Sequence, residues 1–220
     1  MLGHASLVSG LLVLAVVSGC GGSSGESSAG DTVPAASIEP ATTPASGGVP
    51  WPAPSNPMEL TTKAGLTPEV REFLDYHVHA HLDVFVNGQP VEVPGGIGID
   101  IENPDVKTLS AADGTPAYGG IEQCSKPCIS PLHTHEHDGV LHTESRSDTP
   151  NTLGQLFVEW GVPLDESCVG GYCKDEANVE VYVDGELYEG NPASIALTDG
   201  EEIAIVIGTR PSSIPASFPG

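Results

Sequence analysis

The sequence predicts an α+β domain, a hairpin-rich mixed sheet packed by one main helix. Two stretches, "HVHAHLDVFVNGQPVEV" and "NVEVYVDGELYEG", alternate apolar and polar residues and run into Asn-Gly and Asp-Gly. Period two is the signature of a half-buried strand, and these dipeptides are the strongest short-range hairpin signal. Between them "TPNTLGQLFVEWGVP" changes to the helical period, with Leu153, Leu156, Phe157 and Trp160 on one stripe.

Leu7 to Val17 is an almost unbroken apolar run, too short for a comfortable membrane span and of the length of a signal-peptide core. It ends in "VSGC", which resembles the lipobox of bacterial lipoproteins, although no Lys or Arg precedes the run. The resemblance implies a signal peptide over 1–19, lipid on Cys20, and export to the outer face of a membrane. The alternative is an ordinary secretory signal with a chance cysteine. Residues 20–57 are dominated by Gly, Ser, Ala, Thr and Pro, and are expected to form a disordered tether with an r.m.s. reach of about 35 Å. Trp51 within it reads as an incidental or docking aromatic.

Residues 58–210 have the length of a single domain, and 211–220 read as a tail. "TPEVREFLD" suggests a short helix, with Thr67 as cap and Pro68 in the first turn. The first strand follows, with Val78, Ala80, Leu82, Val84 and Val86 on one face and His77, His79, His81, Asp83 and Phe85 on the other. Asn87-Gly88 turns it into "PVEV", where Pro90 requires a free edge on one side. From Asn103 to Ser130 there is no periodicity, so a long loop is expected, and such loops tend to be functional. In the helix, Thr152 and Gln155 form a capping box, and Gly161 with Pro163 ends it. "SIALTDGEEIAIVIG" supplies two further strands and resembles the last strands of β-grasp domains.

Composition narrows the function. With 30 acidic and 7 basic residues the formal charge is −23, which opposes nucleic acid and anionic lipid surfaces and favours cations, although on charge alone plain solubility is the leading explanation. Besides the lipidated Cys20 four cysteines remain, Cys124, Cys128, Cys168 and Cys173. An even count in an exported chain suggests two disulfides. Three pairings are open: the local ones close very small loops, and the crossed ones staple distant segments. Thiolate metal ligation by "CSKPC" is the rival, disfavoured in an oxidising space.

After signal removal seven histidines remain, His77, His79, His81, His133, His135, His137 and His142. On a strand His77, His79 and His81 share a face at a spacing of about 6.6–7 Å, so two can lean onto one ion and three in a row cannot. A site therefore needs ligands from "HTHEHDGVLH". If Asp138-Gly139 is a two-residue hairpin turn, His135 falls opposite His142, and His133 and His137 share their face. A longer turn breaks that pairing but leaves the alternation. Imidazole suits Zn, Cu, Ni and Fe, and Asp83, Glu136, Asp138 and Glu144 can orient the rings. The competing reading is a set of surface or hydrogen-bonded histidines without metal. His137 is the weakest ligand, because it abuts the turn.

Together "HVHAHLDVFVNG" and "LHTHEHDGVLHTES…TLGQLFVEWG" resemble an uncharacterised family of bacterial and archaeal secreted or membrane-anchored proteins, over most of residues 76–208. The resemblance implies no particular activity. It matches His77, His79, His81, His133, His135 and His142 best, while His137 stands where other residues are allowed. Copper-zinc superoxide dismutases and cupins also use H-x-H. The dismutases' other His and Asp motifs are absent, and for a cupin Glu136 comes too early and Glu144 too late. No G-x-S-x-G, HExxH or phosphate loop is present. The expectation is a membrane-anchored extracytoplasmic protein binding a transition metal, copper first and zinc next, for capture, buffering or delivery to a partner protein. The alternatives are a histidine-ligated hydrolytic or redox metalloenzyme, and a partner-binding module with pH-responsive histidines.

Overall fold

A computed structural model describes residues 51–219; the signal segment 1–19, Cys20 and residues 21–50 of the tether lie outside the described residues. The domain is α+β. Helix α1 (Pro57–Lys63) precedes the long strand β1 (Tyr76–Val86) and its return strand β2 (Gln89–Val91). Strands β3 (Lys107–Ser110), β4 (Pro116–Gly119), β5 (Leu132–His133) and β6 (Val140–Ser145) lead to helix α2 (Leu153–Trp160). The short strands β7 (Cys168–Val169) and β8 (Tyr172–Cys173), the hairpin β9 (Val179–Val183) and β10 (Glu186–Leu187), and β11 (Glu202–Ile207) complete the order.

Strand β1 is the spine of a seven-stranded sheet of order β10-β9-β11-β1-β6-β5, with β2 also on β1. Its second half pairs in parallel with β11, and its first half pairs antiparallel with β6. One face carries Ala80, Leu82, Val84, Leu141, Ile203 and Ile205, all buried, against Leu153, Leu156, Phe157 and Trp160 of α2. That helix begins and ends as its sequence requires. Both halves of the Thr152–Gln155 capping box are made, and Gly161 takes the left-handed conformation at φ 74°. Both hairpin turns keep positive φ, 52° and 76° at Asn87-Gly88 and 49° and 80° at Asp184-Gly185. Pro90 sits on an edge, since β2 pairs with β1 alone.

Several expectations are corrected. Residues 67–75 are not helical; the helix is α1, just upstream. Glu69 bonds Ile129 and Cys128 through its backbone, and the Val70 carbonyl accepts from Cys124, so the peptide groups a helix would use are taken. "SIALTDGEEIAIVIG" holds one strand: Pro192–Ser194 form a 3₁₀ turn, and Ala196 makes only an isolated bridge to Thr152. The expected loop 103–130 contains the hairpin β3–β4 and a small second core of Ile99, Val106, Ile121 and Ile129 around Cys124–Cys128. Both disulfides are local, Cys124–Cys128 and Cys168–Cys173.

The chain ends also pack. Trp51 meets Trp160 edge-on at 5.8 Å and accepts its indole N–H through its carbonyl at 3.0 Å, so the fold begins before residue 58. Beyond residue 210 the supposed tail crosses the second sheet face. Ile214 covers Ala204, Val206, Phe85 and Tyr182, and Arg210 binds Glu180 at 2.6 Å.

Candidate metal centre

Cross-strand registry builds the site. His79 of β1 lies opposite His142 of β6, and His142 lies opposite His133 of β5. One step along, His77 lies opposite Glu144. Partners across a sheet share a face, so these five groups form a grid on the side away from α2. His135 leans in from the loop after β5, its ring 4.6 Å from those of both His133 and His142. The two histidine runs converge, with the His79 and His142 rings 4.5 Å apart.

The pairing differs from the sequence expectation, in which His135 faced His142. The connection is the longer loop 134–139. Thr134 is tied by its backbone to Gly96 and Ile97, and the His135 carbonyl accepts from Tyr118. A two-residue turn cannot form while those bonds hold the chain out. The neighbouring strand can approach because residue 98 is glycine at φ 71°; a Cβ there would collide with the Leu132 carbonyl oxygen.

The tautomers follow from the partners. His133 Nδ1 faces the Ser130 carbonyl at 2.9 Å, and His135 Nδ1 faces the Tyr118 carbonyl. Carbonyls only accept, so both Nδ1 atoms carry hydrogen and both neutral rings present a bare Nε2. Those Nε2 atoms are 3.1 Å apart, and the Nε2 atoms of His77 and His79 are 3.0 Å apart. Two imidazoles bound to one ion at about 2.0–2.1 Å have their nitrogens about 2.9–3.4 Å apart for ligand angles between square and tetrahedral. Both pairs fall within that span.

The electrostatics favour neutral rings around a carboxylate. Burial, then the neighbouring histidines, hold His133 well below the usual range. Burial and His142 lower His135, and burial, His142 and His77 lower His79. Glu144 is 7% exposed; burial would raise it, but the attraction of the facing His142, with that of His77 and His135, prevails and lowers it. Its Oε1 lies 3.2 Å from His77 Nε2 and 3.5 Å from His142 Nδ1, and its Oε2 lies 4.0 Å from His133 Nε2. Glu144 Oε2 and His142 Nδ1 are buried without a hydrogen bond. Buried polar atoms are nearly always satisfied, so a carboxylate oxygen left bare beside imidazole nitrogens is a place that could hold a cation.

Comparison of the chain with protein-family models, curated proteins and solved structures finds no match. The donor set therefore carries the assignment. His77, His79, His142 and Glu144 can bring one atom each within 4.8 Å of one another, and so can His133, His135, His142 and Glu144. These groups could hold a metal ion. A cleft of about 510 Å³ lies over them, lined by His79, His135 and His142 with Glu72, Leu109 and Phe218. Among the described residues no helix is long and apolar enough to cross a membrane.

Two expected ligands lie elsewhere. His81 shares the β1 face but sits one step further on, opposite Val140 and Glu202. Its Nδ1 donates to Glu202 at 2.9 Å and its Nε2 to the Asp138 carbonyl at 2.8 Å. With both nitrogens on acceptors the protonated ring is favoured, and in that state it offers no lone pair to a metal; as a neutral ring it would form, with Asp83 and Glu202, a third group that could hold an ion. Burial lowers its pKa, but the Glu202 bond and charge, with Asp138 and Asp83, outweigh that and raise it. His137 pairs with Glu92 at 2.8 Å, outside the cluster. Sequence reasoning also missed Glu72, Glu202 and the Ser130 and Tyr118 carbonyls. No local pattern marks them, since each arrives from a segment paired only in the fold.

Proposed function

We propose that this protein is a lipid-anchored metal-binding protein of the cell envelope, holding copper first and zinc next through His77, His79, His133, His135, His142 and Glu144. The observation that carries the reading is the pair of Nε2 contacts, 3.0 and 3.1 Å, among histidine rings beside an unpaired buried carboxylate oxygen. Imidazole nitrogens are borderline donors that suit copper and zinc better than calcium or magnesium. Anchorage rests on "VSGC" ending at Cys20, and a role in capture, buffering or delivery rests on the −23 charge and the open cleft.

The test is calorimetry and thermal unfolding of the full chain with Cu(II), Zn(II) and Ni(II). A heat of binding and a raised melting temperature with Cu(II) or Zn(II), reduced in His79→Ala and in His135→Ala and lost when both are replaced, are expected. No response to any of the three ions overturns the proposal. Lipid on Cys20 is checked by mass spectrometry of the protein from its own membranes; an unmodified cysteine there removes the anchor. A second reading, a metalloenzyme, draws on Glu72, whose carboxylate lines the cleft 3.9 Å from His135 Nε2. Turnover of superoxide or an ester by the loaded protein, abolished in Glu72→Gln, would favour it.

A further inference from the structure

The donors do not surround one centre. They divide into two imidazole pairs, His77 with His79 on β1 and His133 with His135 around β5, set on either side of β6. Glu144 stands between them on the middle strand. Its Oε1 is the oxygen near His77 Nε2, at 3.2 Å, and its Oε2 is the oxygen near His133 Nε2, at 4.0 Å. His142 joins the first group through Nδ1, 3.5 Å from Oε1. Each pair comes within 4.8 Å of Glu144 and His142 as a set, and among the described residues no such set joins a ring of one pair to a ring of the other.

The geometry points to a two-ion centre in which the Glu144 carboxylate bridges, Oε1 to an ion held by His77, His79 and His142, and Oε2 to an ion held by His133 and His135. This rests on the metal-binding reading and deepens it. Ions joined in this way lie about 3.5–4 Å apart. The first has four protein donors, a closed set; the second has three, and its remaining position faces the cleft that His135 lines. The bare Glu144 Oε2 is the independent sign of the second ion: with one ion on the Oε1 side it stays a buried, unpaired acceptor. Chemically the second position is where a small anionic or neutral oxygen donor, water included, would enter.

Counting ions tests this directly. The full chain is dialysed against Zn(II) and against Cu(II), and bound metal is measured per chain. Two ions are expected, with a dipole-broadened Cu(II) resonance and a half-field line. His77→Ala and His135→Ala, both at solvent-reached positions, should each retain one ion and give an isolated Cu(II) signal. Glu144→Gln should lose the half-field line. One ion per wild-type chain, or two ions with isolated signals, overturns the bridged pair and leaves the metal reading intact. Loss of all binding in both histidine variants, with melting curves showing them folded, overturns it in favour of one shared centre. No binding by the wild type overturns both readings.

Discussion

His79 and His81 are neighbours on one face of β1, yet they sit in opposite chemical surroundings. Around His79 the partners are other imidazoles and a shared carboxylate, and burial drives the ring neutral. Around His81 the partners are the Glu202 carboxylate and the Asp138 carbonyl, both acceptors, and the ring is held as a cation. The first arrangement sets ring nitrogens 3.0 Å apart beside a carboxylate, a spacing that could hold an external cation. The second supplies its own cation and needs no other. Strand neighbours decide the difference: β6 and β5 bring histidines to the His79 end, and β11 brings Glu202 to the His81 end.

The comparison can be broken most severely at His81. Replacing it with Ala leaves the Glu202 carboxylate, 1% exposed, without its partner, a loss of about 3–5 kcal/mol. Urea unfolding of the metal-free variant should show that loss while the folded fraction still binds metal. A variant as stable as the wild type would mean His81 is not the cation described. His142→Ala is expected to do the reverse. As a ligand of the four-donor ion that also lies within reach of His133 and His135, it should lower metal affinity by at least about 100-fold when removed, with little effect on metal-free stability. Competition against a chelating dye measures this.

A third test uses the sign of the pH dependence. His79, His133 and His135 titrate below 6.5 in the fold, so below 6.5 the unfolded chain binds more protons and metal-free stability falls with falling pH. His81 titrates above 6.5; its contribution is complete below 6.5 and is lost as pH rises through its raised folded value. Each group sets a limiting slope of about 1.4 kcal/mol per pH unit. Glu159, buried in α2 and raised to about 8, adds a decline from pH 4.5 upward that all variants share. Differences from wild type therefore isolate the histidines: the acid-side loss should shrink in His135→Ala and the alkaline-side loss in His81→Ala. Equal pH profiles in the two variants would erase the distinction. The smallest effect belongs to His137→Ala, which removes a hydrogen bond to the exposed Glu92. It should cost under about 1 kcal/mol and leave metal affinity unchanged.

Much of the fold could be read from local patterns. Helix α2 was legible because its cap, its apolar stripe and its stop are all encoded within "TPNTLGQLFVEWGVP". The β1–β2 and β9–β10 hairpins were legible because only Asn-Gly and Asp-Gly accept two positive φ values so readily. Helix α1 was not, being short and without an apolar period. Strands β3 and β4 were not either, because "KTLS" and "PAYG" do not alternate and are held by contacts such as Tyr118 with His135. Segment 67–75 has the composition of a helix, but the Cys124–Cys128 loop claims its peptide groups.

The histidines show the same division. By itself the sequence determined which residues could ligate, that the two runs each hold their rings at alternate positions, and that the chain favours cations, since residue type, strand period and net charge are local or additive properties. Only the tertiary structure decided which rings meet. Strand order and register are settled by long-range pairing, and that pairing put His133 rather than His135 opposite His142, set Glu144 between two imidazole pairs, and gave His81 a carboxylate in place of an ion.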